Sequence, residues 1–156
     1  MTLQASSQKD ESFWKDFASM ADFFSPALTP LQKYVGLGSK ELFYSLGDAF
    51  GRKVAEKLDG GTLRETLSEL SNLWERLEIG RFEVVRPDPL TLLITNCRVC
   101  GQLPGTGSMY ECAFHQGFFE SVISNTMGER VNLRQDTNFE GEAGTWCRRF
   151  VADVKI

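Results

Sequence analysis

The chain is short of most of what nucleotide-dependent and triad enzymes are built from. It has one histidine, His115, and no G-x-S-x-G elbow, Walker loop or G-x-G-x-x-G fingerprint. No hydrophobic run approaches the roughly 18–20 residues of a membrane-spanning helix. Basic residues are outnumbered, 17 Lys and Arg against 21 Asp and Glu, for a net charge of −4. The electrostatic footprint of a nucleic-acid-binding protein is therefore missing. Residues 1–11 are polar and contain no apolar segment, which predicts no secretory leader and a cytoplasmic location. In such a setting four cysteines point to free thiols or a metal rather than to a disulfide framework.

What the chain does have is phenylalanine, twelve of them against three Trp and three Tyr. That many rings fills a core and is compatible with an apolar cavity. At 156 residues the length suits one domain. The reading is a flexible tail over residues 1–10 and a single domain over 11–156, of which 11–37 is an N-terminal helical extension. In that extension Phe13, Trp14, Phe17, Met20, Phe23 and Phe24 recur at spacings of three and four. Such a face packs on the core or covers a partner, and it predicts a homodimer. Pro26 and Pro30 break the chain, and residues 31–37 form one or two helical turns.

Ser39 is positioned to cap a helix in which Leu42, Leu46, Phe50, Val54 and Leu58 form an apolar stripe, flanked by Phe43. Gly47 and Gly51 interrupt it, at about 1 kcal/mol of helix stability each relative to alanine, so a close backbone or a ligand is expected there. After Asp59-Gly60-Gly61, Thr62-Leu63-Arg64-Glu65 reads as a capping box, with Leu63, Leu67, Leu70, Trp74 and Leu77 along one seam. The period then changes. Residues 82–85 and 90–95 read as strands flanking Pro87-Asp88-Pro89. A loop over 101–108, a helix over 110–127, one strand with Val131 and Leu133, and another with Cys147, Phe150 and Val154 complete the pattern. The fold class is α+β, with helices packed on a four-stranded, mostly antiparallel sheet.

The cysteines leave two readings open. Cys97-x-x-Cys100 followed by Cys112-x-x-His115 has metal-like spacing, and Cys147 can replace His115 in a zinc site. The other reading is buried free thiols. A thioredoxin-type role does not fit, because Cys97 and Cys100 end a strand rather than open a helix. His115 as a general base would need an orienting carboxylate, for which Glu111 is the candidate; a partly exposed histidine is the plainer expectation.

Several elements in order carry a family likeness. They are Leu46-Gly47-Asp48-Ala49-Phe50-Gly51-Arg52, then Cys97 and Cys100, and Cys112 with Phe114 and Gly117. Gly128, Val131 to Leu133, Gly141 or Gly144, and Cys147 with Phe150 follow. The set resembles the 4-vinyl reductase domain, also described as a hydrocarbon-binding domain and similar in fold to a core subunit of the TRAPP tethering complex. That resemblance implies a helix-covered sheet around an apolar pocket, in a stand-alone member. It also implies a hydrophobic or planar ligand, a tetrapyrrole or its precursor among them, in a setting such as photosystem assembly. Sensor members hold zinc with a set to which Cys112 and Cys147 correspond; Gln135 and Asn138 stand where those members carry Glu and Cys. The family name suggests a reductase, but no fingerprint for a hydride donor is present, and catalysis is not expected. A ligand pocket is expected between the first long helix and the helix over 110–127, lined by Gly47, Phe50, Gly51, Phe114, Phe118 and Phe119. The alternative is an interaction or assembly factor of the same fold with no obligatory ligand.

Overall fold

The computed structural model describes residues 11–16, 19, 38–58, 60–78, 80–96, 109–136 and 148–156. A first helix, α1, is described over residues 11–16. It is followed by α2 (Gly38–Ala55), α3 (Leu63–Arg76), β1 (Arg81–Pro87), β2 (Leu90–Thr95), α4 (Met109–Met127), β3 (Arg134–Gln135) and β4 (Arg148–Ala152). The strands form one sheet in the order β1-β2-β4-β3, and every neighbouring pair is antiparallel. The α+β class and the antiparallel four-stranded sheet are as the sequence predicts.

Local chemistry explains the helix ends. Thr62 Oγ1 accepts from the Glu65 N–H at 3.3 Å, and Glu65 Oε2 accepts from the Thr62 N–H at 2.8 Å. This reciprocal box starts α3, whose Leu63, Leu67, Leu70, Leu73 and Trp74 are buried. Helix α2 begins at Gly38, so Ser39 lies in its first turn rather than ahead of it.

The helical hairpin of residues 39–77 does not cover the sheet as one unit. Helix α3 reaches it at β1, where Trp74 and Phe82 meet with ring centroids 6.1 Å apart. Helix α2 packs on α4 instead, and α4 turns Phe119 onto Phe82 at 4.9 Å. A helix that is apolar on all sides is a buried one. Phe118, Phe119, Val122 and Ile123 of α4 are fully buried, in one cluster with Leu90, Leu92, Ile94 and Phe150 of the sheet. Phe13 and Trp14 pack half-buried against the same cluster; Phe17, Met20, Phe23 and Phe24 lie outside the described residues.

The stripe expected on α2 is also rotated. Leu42 is 40% exposed, and Leu46, Phe50 and Leu58 are only half-buried. The buried line runs through Phe43, Gly47, Gly51 and Val54.

A second difference concerns Val131 and Leu133, which precede the two-residue β3 instead of forming it. Their main chain is held by side chains of α4. Ser124 Oγ accepts from the Val131 N–H at 2.8 Å, and Glu120 Oε1 accepts from the Leu133 N–H at 2.7 Å. Gln116 Nε2 donates to the Leu133 carbonyl at 2.9 Å. Three residues spaced four apart thus satisfy the backbone groups that a neighbouring strand would otherwise take.

Two carbonyls near the ends of β1 are taken by parts of the chain outside its partner strand. Ser71 Oγ of α3 donates to the Phe82 carbonyl at 2.8 Å, and the Ile156 N–H donates to the Pro87 carbonyl at 3.1 Å. Between them a bulge interrupts the register at Val85, which is 51% exposed. Among the described residues no helix is long and apolar enough to cross a membrane.

Candidate functional site

Helices α2 and α4 touch through their backbones. A Cβ on Gly47 would lie 2.0 Å from the Phe114 carbonyl oxygen, and one on Gly51 2.4 Å from that of Phe118. From the other side, a Cβ on Gly117 would lie 2.2 Å from the Tyr44 carbonyl oxygen. The glycines are required by the approach of a main chain, not by a ligand. The cavity expected between these helices is closed at Gly47 and Gly51. The signal that marks α4 as the partner is Ala113-x-x-x-Gly117-x-x-x-Ser121, a line of small residues answering the two glycines of α2.

The expected aromatic lining divides in two. Phe118 and Phe119 are fully buried and packed on Trp74, with centroids 4.9 and 6.0 Å away. These rings fill the core. Phe50 and Phe114 are half-buried and lie 6.0 Å apart, so they are the members of the set that solvent still reaches. His115 is 4% exposed, which overturns the expectation of a partly exposed side chain; its ring stacks on Phe119 at 6.4 Å.

On the opposite side of the α2–α4 contact lies an open groove of about 590 Å³, which the sequence reading missed. Tyr44, Asp48 and Arg52 of α2 form one wall; Glu120, Ser121, Ser124 and Asn125 of α4 and the following Gly128 to Val131 form the rest. Glu120, 6% exposed, is the central anion. Its Oε1 accepts from the Leu133 N–H and from Gln116 Nε2 at 3.1 Å, and its Oε2 accepts from the Tyr44 hydroxyl. Burial, and then the hydrogen bond to Glu120, push the Tyr44 phenol up to about 12. Tyr44 therefore stays protonated and donating at any physiological pH. Asp48 is ion-paired with Arg52 one turn away. A lone carboxylate within the apolar stretch 113–123 was the available cue.

The side chains of all four cysteines fall outside the described residues: Cys97, Cys100 and Cys147 entirely, Cys112 with only its backbone described, in α4. Asn138 is likewise outside, while Gln135 sits half-buried in β3. Among the described residues no group of three or more His, Cys, Asp or Glu is arranged to hold a metal ion.

No family model matches the chain. A relative in Methanocaldococcus jannaschii, the uncharacterized protein MJ1642, is 30% identical over 118 residues, which is 76% of this chain and 67% of that protein. Identity at that level across two thirds of the relative places the present chain in one family with MJ1642.

Proposed function

We propose that the protein is a cytoplasmic, 4-vinyl-reductase-type module that holds a hydrophobic or planar small molecule, a tetrapyrrole or its precursor being one such class, without carrying out chemistry on it. The observation behind this reading is an aromatic pair that solvent still reaches beside the α2–α4 contact. The half-buried pair Phe50 and Phe114 supplies the accessible apolar surface, and stacking on such rings makes few directional demands. A binding role without catalysis is favoured because Glu120, the buried carboxylate, is committed to Leu133, Gln116 and Tyr44. A zinc ion on the cysteines would serve to hold the segments that carry them.

The test is titration with protoporphyrin, followed by its Soret band, with a native mass spectrum that also reads the proposed homodimer. Saturable binding weakened about tenfold, or roughly 1.4 kcal/mol, by Phe114→Ala is the expected result. Absence of binding at about 100 μM porphyrin, on the same affinity scale, would refute a tetrapyrrole as the ligand.

A second reading, an interaction or assembly factor without obligatory ligand, is favoured by one observation. Phe118, Phe119, Trp74 and Phe82 fill the core, and the helix contact closes at the glycines. A protein that comes from its native source without ligand, in a stable complex with another chain, would support it.

A further inference from the structure

The two faces of the sheet are put to different uses. Phe82, Leu92, Ile94 and Phe150 belong to the core that the helices share. On the opposite face the strand register lines up two rows of side chains, about 7 Å apart along the strands. One row reads Glu83, Leu93, Arg149 and Asp136, crossing β1, β2, β4 and the residue after β3. The next reads Arg86, Thr91, Val151 and Arg134 over the same strands.

The first row ends in a carboxylate on both sides and the second in a guanidinium on both sides. Glu83 and Arg86 are exposed and one row apart, yet neither makes an ion pair among the described residues. At the other edge Asp136 is held by Arg149, while Arg134 has 72% of its side chain in solvent. Between the ends Leu93 and Val151 are half-buried and Thr91 is buried. A half-turn about an axis that crosses the strands between the two rows exchanges one row for the other. It lays Glu83 on Arg86, Asp136 on Arg134 and Leu93 on Thr91 of a second copy, and each contact occurs twice. Facing sheets lie about 10 Å apart, a gap that glutamate and arginine side chains span together.

We infer that this face of the sheet docks against the same face of a second copy of the chain, through reciprocal Glu83–Arg86 pairs beside Leu93 and Val151. The inference rests on the proposed homodimer and is independent of the ligand. Phe13 and Trp14 of the N-terminal apolar face pack on the core cluster, so the sheet is the surface left to the second copy. Ion pairs at a solvated rim add little affinity each; they reject wrong partners and fix the register in which the apolar residues meet.

The experiment is sedimentation equilibrium of the intact chain from about 10 μM to 1 mM, a range that covers weak association, with circular dichroism as the check on folding. Glu83→Arg and Arg86→Glu change exposed side chains and should each keep the wild-type spectrum. Each alone should weaken self-association at least tenfold, because like charges then meet across the axis. Mixed in equal amounts, the two variants should dimerise as well as wild type, since every Glu83–Arg86 contact becomes arginine against glutamate. The chain carrying both substitutions should recover for the same reason, and a side chain that acted only within its own copy would show neither recovery. A chain that stays monomeric throughout the range removes the homodimer itself. A dimer untouched by either variant uses another surface, and a weakened dimer that neither mixing nor the double substitution restores is not held by reciprocal pairs. Each of these three results overturns the assignment.

Discussion

Replacing Gly47 by alanine is the substitution the α2–α4 contact should resist most. The added methyl would meet the Phe114 carbonyl oxygen at 2.0 Å, its carbon at 2.9 Å and the Phe118 nitrogen at 3.0 Å. Ordinary contact begins at 3.4 Å, so the helices must separate or slide by roughly 1.4 Å. The obstacle is the main chain of a buried helix, and no rotamer change relieves it. Alanine does gain about 1 kcal/mol of helix propensity over glycine. Against this, a gap of only about 0.5–1 Å forfeits a quarter to a half of the dispersion energy of the atoms it separates. Phe43 and Ala113 form a buried cluster with Phe114, whose carbonyl is the one displaced. Overpacking of this kind costs about 1–3 kcal/mol, and a net loss of roughly 1–2 kcal/mol is expected after the propensity gain. Urea unfolding followed by circular dichroism should show a lower midpoint at unchanged slope, and melting should fall by about 2–8 °C for a chain of this size. Ser45→Ala, exposed on the same helix, is the control and should stay within about 0.5 kcal/mol of wild type. A Gly47→Ala protein as stable as wild type, or more so, would refute backbone contact at this position.

Three further outcomes follow from the polar groups. Glu120→Gln should cost about 1.5–3 kcal/mol, because bonds to a charged acceptor are lost in a buried site, and hydrogen exchange at the Leu133 amide should accelerate. Tyr44, raised to about 12, has a folded pKa above its unfolded value near 10. Its contribution to stability is therefore complete below about pH 10 and lost as pH rises toward 12; an ultraviolet phenolate titration should show one late step that Tyr44→Phe removes. Thr62→Ala should lower stability by about 1 kcal/mol through loss of the α3 cap, measured as a shift in urea midpoint.

What could be read from the sequence was what short-range chemistry decides. The box at Thr62 and Glu65 needs only residues three apart, and it is formed as written. The hairpin of β1 and β2 follows from two apolar runs around Pro87-Asp88-Pro89, and it too is formed. On α2, counting the large side chains as core puts the stripe on the wrong face. The close backbone expected at Gly47 and Gly51, as one of two alternatives, is found. In the folded chain the glycines are the contact, and Leu42 is left outside. Val131 and Leu133 alternate like a strand, but α4 takes their amides. Glu120 and Leu133 are 13 residues apart, and no local pattern announces a side chain that will bond a backbone at that distance. The groove around Ser121 was invisible for the same reason, since its walls come from helices separated by the whole of α3 and the hairpin.

The interrupted edge of β1 bears on how this domain behaves in company. A sheet grows when an approaching chain finds a row of open carbonyls and amides to copy. Here a template of that kind is interrupted where it would begin, at Phe82, and where it would end, at Pro87, with the bulge at Val85 throwing the remaining groups out of step. Ser71 is therefore a gatekeeper as much as a fastening. For an approaching strand the β1 ladder is thus broken, and the exposed Val84 and Val85 lie at the break. Any lasting association through this side of the molecule has to be made by side chains, which read identity, rather than by backbone, which does not.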